Sequence, residues 1–298
     1  MQLREFQNQA RTLTVDPVDP DGKAHRKVAH LTGAVGDLAR VVRPPRGGAD
    51  AGWEKTKVRD ALAEILFRAS AVADTYGLDL GEIAVASLTN LAYRAVPTPA
   101  GSFYDDGFPA CEQLPRHISY EFVSDAREDG VARTRIHFDG KQVGDPLTDA
   151  SARPDGYRLH DAFHLAYATH LGWSPVTRAL LNRKRRSNPA VDESEDGGRA
   201  IVVEEAASAM VFSHAPANDY FRTDVDPVLL DNLALLAGTQ EVATRRPADW
   251  RRAILDGYAM WHKLREHDGH GIVHADLLAR TMAFQPTMAP KLVIARAG

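Results

Sequence analysis

The chain has 298 residues, a net charge of −4, and 44% hydrophobic and 26% charged residues, a balance that suits a globular protein and excludes a basic nucleic-acid binder. Its single cysteine, Cys111, excludes an internal disulfide framework and a cysteine-rich zinc site and fits a reducing compartment. There is no apolar run of about 18 residues, and the start, MQLREFQNQA, is polar. A cytoplasmic location, no membrane partner and no strong nucleic-acid signal are therefore expected.

Leu3–Leu13 reads as a short helix, followed by a loop over TVDPVDPDGK. His25–Val42 has helical spacing through Val28, Leu31, Val35, Leu38 and Val42, and RPPRGGADAGW breaks it. Lys55–Tyr76 places Val58, Ala61, Leu62, Ile65, Leu66, Ala69, Val72 and Ala73 on one face, the clearest amphipathic helix in the chain. After Gly77, Leu80–Arg94 is a further helix. Helices joined this closely make a small bundle.

The segments LREFQNQA, HLTGAVGDLARVV and KVRDALAEILFRASAVADTYGLDLGEIAVASLTNLAYR carry a resemblance. In order and spacing they resemble the MazG-like all-α nucleoside triphosphate pyrophosphohydrolases over residues 3–94. The resemblance implies Mg²⁺ or Mn²⁺ as cofactor, a nucleotide substrate and a homodimer. That family sets an E-x-x-E pair on one helix and an E-x-x-D pair on the next, so that four carboxylates gather metal around a polyphosphate. Here the pairs read Ala34-Val35-Gly36-Asp37 and Ala61-Leu62-Ala63-Glu64, each with one acid missing. Asp37 and Glu64 remain as candidate metal ligands, with Asp79 and Asn90 where the family has later site residues. A bundle reduced in this way reads as a retained scaffold, degenerate as a catalyst.

Residues 97–115 are rich in proline and glycine at their start and read as a linker between a first domain, 1–96, and a second, 116–298. The period then becomes alternating. His117–Ser124 and Thr134–Phe138 read as strands, and Asp139-Gly140 signals a hairpin turn, giving a small antiparallel hairpin over 116–145 that must pack on helices.

Gly156–Trp173 reads as a helix buried through Leu159, Phe163, Ala166 and His170, with His160, Asp161 and His164 clustered on another flank. An H-D-x-x-H cluster offers acid and imidazole to a divalent ion or to phosphate chemistry. Ser174-Pro175 starts another helix. Arg183, Lys184, Arg185 and Arg186 form a basic run that either clamps a polyphosphate or is a solvated helix end. Arg199–Ser213 then has no polar face, yet contains Glu204 and Glu205, and Glu205 falls in line with Ile201, Ser208 and Phe212. A buried glutamate needs a cationic partner or a metal, so the helix carries either an acidic site or a structural ion pair. Pro227–Leu236 and Trp250–Lys263 are amphipathic helices. EHDGHGIVHAD, whose His267, His270 and His274 follow His262, reads as a loop-to-helix segment, LLARTMAF as a docking segment, and PKLVIARAG as a terminal tail.

Asp161-x-x-His164, the basic run and the glutamate pair together resemble the C-terminal domain that accompanies some MazG-like proteins. The expected protein is mainly α, a MazG-like bundle followed by a helical domain carrying the hairpin. It is expected to hydrolyse (d)NTPs or a related phosphoanhydride. Glu205, His164 and His160 are the candidate catalytic residues, and Asp161, Glu204, Glu205, Asp37 and Glu64 the candidate metal ligands. Arg183, Lys184 and Arg186 would bind phosphate. The alternative is an inactive nucleotide- or partner-binding protein of the same fold.

Overall fold

The structure is a computed structural model describing residues 2–13, 23–42, 51–99, 101–126 and 130–287. The loops expected at 14–23 and 43–53 lie mostly, and PKLVIARAG entirely, outside the described residues. The chain is mainly helical and divides into two compact units, Met1–Ala92 and Tyr93–Gly298.

In the first unit, α1 (Leu3–Leu13), α2 (Lys23–Val41), α3 (Ala51–Thr75) and α4 (Leu80–Ala95) match the helices read from periodicity. The long helix α3 packs against both α2 and α1. Gln7 of α1 fixes the turn between α3 and α4: its amide donates to Asp74 Oδ1 (2.7 Å) and to the Leu78 carbonyl (2.8 Å), while its own oxygen accepts from the Leu80 N–H (2.7 Å). Asp79 caps α4 by accepting from the Glu82 N–H and pairs with Arg4, so this acid is engaged in holding helix ends. What the unit buries among the described residues is small: Gln7, Ala10, Ala34, Ser70, Ala71 and Ala73, with Leu80 the largest apolar side chain. Val28 and Val35 of the expected α2 stripe stay exposed, as do Val85, Leu88 and Leu91 of α4.

The second unit is built on a five-stranded antiparallel sheet with strand order β3-β2-β1-β4-β5. Its strands are β1 (His117–Ala126), β2 (Ala132–Phe138), β3 (Lys141–Leu147), β4 (Gly271–Asp276) and β5 (Thr281–Gln285). The expected hairpin is thus only part of the sheet. The segments read as loop-to-helix and docking segment are strands, because the free edge of β1 is completed by β4, pairing Ser119 with His274 and Tyr120 with Val273. Ile118, Tyr120 and Phe122 alternate inward along β1, and Gly271, Val273 and Ala275 do so along β4. The Asp139-Gly140 turn joins β2 to β3, with both residues at positive φ (49° and 73°).

Against β4 and β5 lie α5 (Asp161–Leu171) and α10 (Pro247–Glu266), which are closely packed together. Around them run α6 (Pro175–Leu180), α7 (Pro189–Ser194), α8 (Gly198–His214) and α9 (Pro227–Leu236). Every residue of α5 is buried, so this helix is the centre of the unit and its polar flank faces protein rather than solvent. The close crossing depends on Gly257, where an added Cβ would lie 3.2 Å from both Ala166 Cβ and Phe163 Cδ1. Gly257→Val should therefore cost about 1–3 kcal/mol through overpacking, read from the urea midpoint. An unchanged midpoint would show that the two helices can separate freely.

Residues 97–115 pack into this unit. Asp105, 1% exposed, accepts from Arg116, Arg178 and the Leu114 N–H. Arg178 and Arg185, both fully buried, continue the network through Asp196 and Glu241. Each buried charge faces an opposite one, the condition under which such a cluster is tolerated.

Candidate functional site

The site lies where the start of α5 meets α8. A 3-10 turn, Tyr157–Leu159, leads into His160, the residue capping α5. The His160 ring stacks on Tyr157 (centroids 4.3 Å apart, planes 7° apart), and its Nδ1 is 2.8 Å from the Tyr157 carbonyl. That contact makes Nδ1 the protonated nitrogen and leaves Nε2 with its lone pair. One turn on, His164 is wholly buried, with Nδ1 2.8 Å from Glu204 Oε1 and Nε2 lacking any hydrogen-bond partner.

The free edges of the two rings converge. Ligand atoms of His160, Asp161 and His164 lie within 4.8 Å of one another, and among the described residues this is the group of three or more such side chains that could hold a metal ion. Glu205 Oε2 is 3.6 Å from His164 Nε2 and 3.9 Å from His160 Nε2, while Asp161 Oδ1 is 3.7 Å from His160 Nε2. Donors bound at about 2.1 Å to one ion stand about 3.0–3.4 Å apart, so the Glu205 and His160–Asp161 contacts need to shorten by a few tenths of an ångström and the widest separation in the set by roughly 1–1.5 Å to close around a cation. The orphaned Nε2 of His164 and the fixed Nδ1 of both rings are the features such a site requires.

Glu204 is the supporting carboxylate. It accepts from His164 Nδ1, from Ser174 Oγ (2.7 Å) and from the Val176 N–H (2.8 Å) in the first turn of α6, where the helix dipole also favours its charge. Ser174 caps α6 by accepting from the Thr177 N–H.

Electrostatics follow from this geometry. Burial opposes charging of His164, but Glu204, Glu205 and Asp161 outweigh it and hold its pKa well above 6.5. Burial and the neighbouring His164 push His160 down, against the pull of Asp161. Burial alone would raise Glu205, yet His164 and His160 hold it below the ordinary carboxyl range. The phenols of Tyr120 and Tyr167, buried and near these acids, are pushed up and stay protonated.

The spacing put Glu205 among apolar residues, but it is Glu204 that the fold buries. Glu204 is fully buried, whereas the Glu205 side chain is 43% exposed. The reason is the phase of α8, which turns Ala200, Glu204, Ala207, Ser208 and Val211 inward and leaves Val202 66% exposed, so the helix does have a solvent face. In the basic run, Arg185 is wholly buried on Asp196 and Glu241, and Arg183 donates to the Ala110 carbonyl; Arg186 is exposed. Among the described residues no hydrogen bond or ion pair joins Arg183, Lys184 or Arg186 to the histidine cluster. Asp37 pairs with Arg40 and Glu64 with Arg68 (2.7 Å), each on its own helix and largely in solvent.

The later histidines are dispersed rather than clustered. His274 bonds Ser119 and Gln285 across the sheet, His262 meets the Tyr220 carbonyl and His267 the Lys263 carbonyl. Sequence reading missed Ser174 and Val176 as partners of Glu204; Ser174-Pro175 signalled the helix start, and nothing local signalled the carboxylate that would meet it.

A mainly helical unit on an antiparallel sheet, with two histidines and two carboxylates converging at the start of its central helix, defines a domain built around a polar buried site. Residues 99–288 match the MazG C-terminal domain, and the chain belongs to that family. The matched residues include the whole site and leave the N-terminal third outside. No curated protein and no solved structure matches the chain. No helix among the described residues is long and apolar enough to cross a membrane.

Proposed function

We propose that the second unit hydrolyses a phosphoanhydride, a nucleoside triphosphate being the substrate implied by the MazG-like resemblance of residues 3–94. The observation that carries this reading is the convergence of the His160 and His164 Nε2 atoms with Asp161 and Glu205, with both Nδ1 atoms already committed. His160, Asp161 and His164 would hold a divalent ion. Two imidazoles beside carboxylates favour Mn²⁺ or a later transition metal over Mg²⁺. Such an ion supplies Lewis acidity, neutralising phosphoryl charge and acidifying water.

The chain supplies the rest. Glu205 is ionised and half open to solvent, placed to accept a proton from an attacking water. Glu204 keeps the His164 ring in one orientation, and stacking on Tyr157 does the same for His160. The first unit acts as scaffold, since Asp37 and Glu64 are each taken up by an arginine of their own helix. Its uncovered residues Val85, Leu88 and Leu91 are the face on which a second copy would pack, giving a homodimer by light scattering. A Leu88→Glu variant should then be monomeric; a monomeric unsubstituted protein would remove the dimer from this reading.

The test is release of phosphate or pyrophosphate from a panel of NTPs and dNTPs with Mn²⁺ or Mg²⁺. Turnover should be greater with Mn²⁺ and fall at least about 100-fold in Glu205→Gln, with the fold retained. Nucleotide binding without turnover under every metal would instead support the inactive binding protein.

A further inference from the structure

The far end of α5 carries a second polar site. Thr169 and Gly172 follow His160 by nine and twelve residues, about 13–18 Å along the helix axis. There the second unit has a cavity of about 250 Å³ whose charged lining is Arg245 and Arg280, with the hydroxyl-bearing Ser102 and Thr169 beside them and no carboxylate on its wall. Phe103 and Leu277 supply apolar sides.

The two arginines differ in how they are satisfied. Arg280 donates to the Thr98 carbonyl (2.8 Å) and reaches Asp249 Oδ1 at 3.3 Å. Asp249 is shared, since it also accepts from the Thr98 N–H and hydroxyl and from the Arg246 N–H. Among the described residues Arg245 has no carboxylate partner. Its Nε is buried without an acceptor, and its guanidinium lies over the Tyr104 ring, 4.9 Å from the centroid. Burial and the charge of Arg245 both depress the pKa of Arg280, so the second cation adds repulsion that Asp249 offsets only in part.

A cation near the C-terminal end of α5 is favoured by the helix dipole. That accounts for one charge and leaves the second cation without a counter-charge. Room for the guanidinium is kept by Gly172, which ends α5 at φ 65°. A Cβ there would stand 3.3 Å from Arg245 Nη2 and 3.4 Å from Phe103. At about 30 Å³ per water the cavity holds about eight waters, space enough for one or two phosphate groups. Guanidinium forks match the oxygen edges of phosphate, and an acceptor-only anion complements a wall whose charged groups only donate.

We infer that this cavity is a binding site for a small phosphoanion, orthophosphate or pyrophosphate, distinct from the histidine cluster. The anion gives the Arg245 guanidinium a counter-charge and relieves its repulsion with Arg280. Nothing in this inference depends on the reaction proposed for the other site.

The experiment is calorimetric titration of the full chain with pyrophosphate, and separately with orthophosphate, in EDTA so that no metal-held anion contributes. One site per chain is expected, and saturation should raise the melting temperature. Arg245→Gln should weaken binding at least tenfold and, without anion, melt at or above the temperature of the unsubstituted protein. Arg245→Lys, which keeps charge but loses the fork, should bind with intermediate affinity. Lys141→Gln, at the exposed turn between β2 and β3, should bind normally. Absence of binding, or unchanged affinity in Arg245→Gln, overturns the inference. A marked fall in the melting temperature of Arg245→Gln also overturns it, since the guanidinium would then serve packing alone.

Discussion

Glu204→Ala should destabilise the protein by about 3–5 kcal/mol, the largest loss expected from any single side chain of the site. The carboxylate is fully buried and accepts three hydrogen bonds, from His164 Nδ1, Ser174 Oγ and the Val176 N–H. Removing it leaves a buried imidazole whose protonated form has lost its main counter-charge, together with an orphaned hydroxyl and an orphaned helix N–H. Glu204→Gln is the informative companion. It keeps one acceptor but must turn an NH₂ toward one of three donors, so its cost should be smaller and not zero. Both variants free the His164 ring to rotate and should weaken Mn²⁺ binding about 10–100-fold. Urea unfolding and metal titration read the two effects separately. If Glu204→Ala unfolds at the unsubstituted midpoint, water replaces the carboxylate and the helices are not held through it. If stability falls while Mn²⁺ affinity is retained, Glu204 is structural and does not position His164.

How much of this was legible in the sequence depends on whether the information was local. The helices of the first unit follow from apolar spacing, and the turn between β2 and β3 from Asp139-Gly140, because both signals lie within a few residues. The His160, Asp161 and His164 cluster was equally visible, since residues three and four apart on a helix must share a face. The phase of α8 was not. With apolar residues on every side, hydrophobicity could not say which of two adjacent glutamates, about 100° apart, faces inward. Only the meeting with Ser174 and His164, thirty and forty residues earlier, settles it. Arg185 failed to show for the same reason. Within RKRR it looks solvated, and its partners Asp196 and Glu241 lie 11 and 56 residues away. Strands β4 and β5 were hidden by distance too, as β4 exists through pairing with β1 some 155 residues earlier, and its six residues carry little pattern of their own.

Metal affinity at the histidine cluster should rise about tenfold for each unit of pH above 6.5, up to the folded pKa of His164. Without metal, that imidazole is held protonated by Glu204 and Glu205, its pKa well above the ordinary value. A group raised in this way contributes stability that is fully present below pH 6.5, its unfolded value, and is lost as pH rises through the folded value. The metal-free protein should therefore lose stability on the alkaline side of pH 6.5. A divalent ion takes the place of the Nε2 proton, so binding releases close to one proton and restores what alkaline pH removes. Manganese titrations at pH 6.5, 7.5 and 8.5, in two buffers of different ionisation enthalpy, measure both the affinity slope and the proton count. Glu205→Gln sharpens the result. It removes one of the two charges that hold the proton and leaves Glu204 in place, so the slope should flatten earlier in pH while the fold persists. A pH-independent affinity, with no proton released, would mean that the ion binds away from His164, and the hydrolytic reading of the site would fall with it.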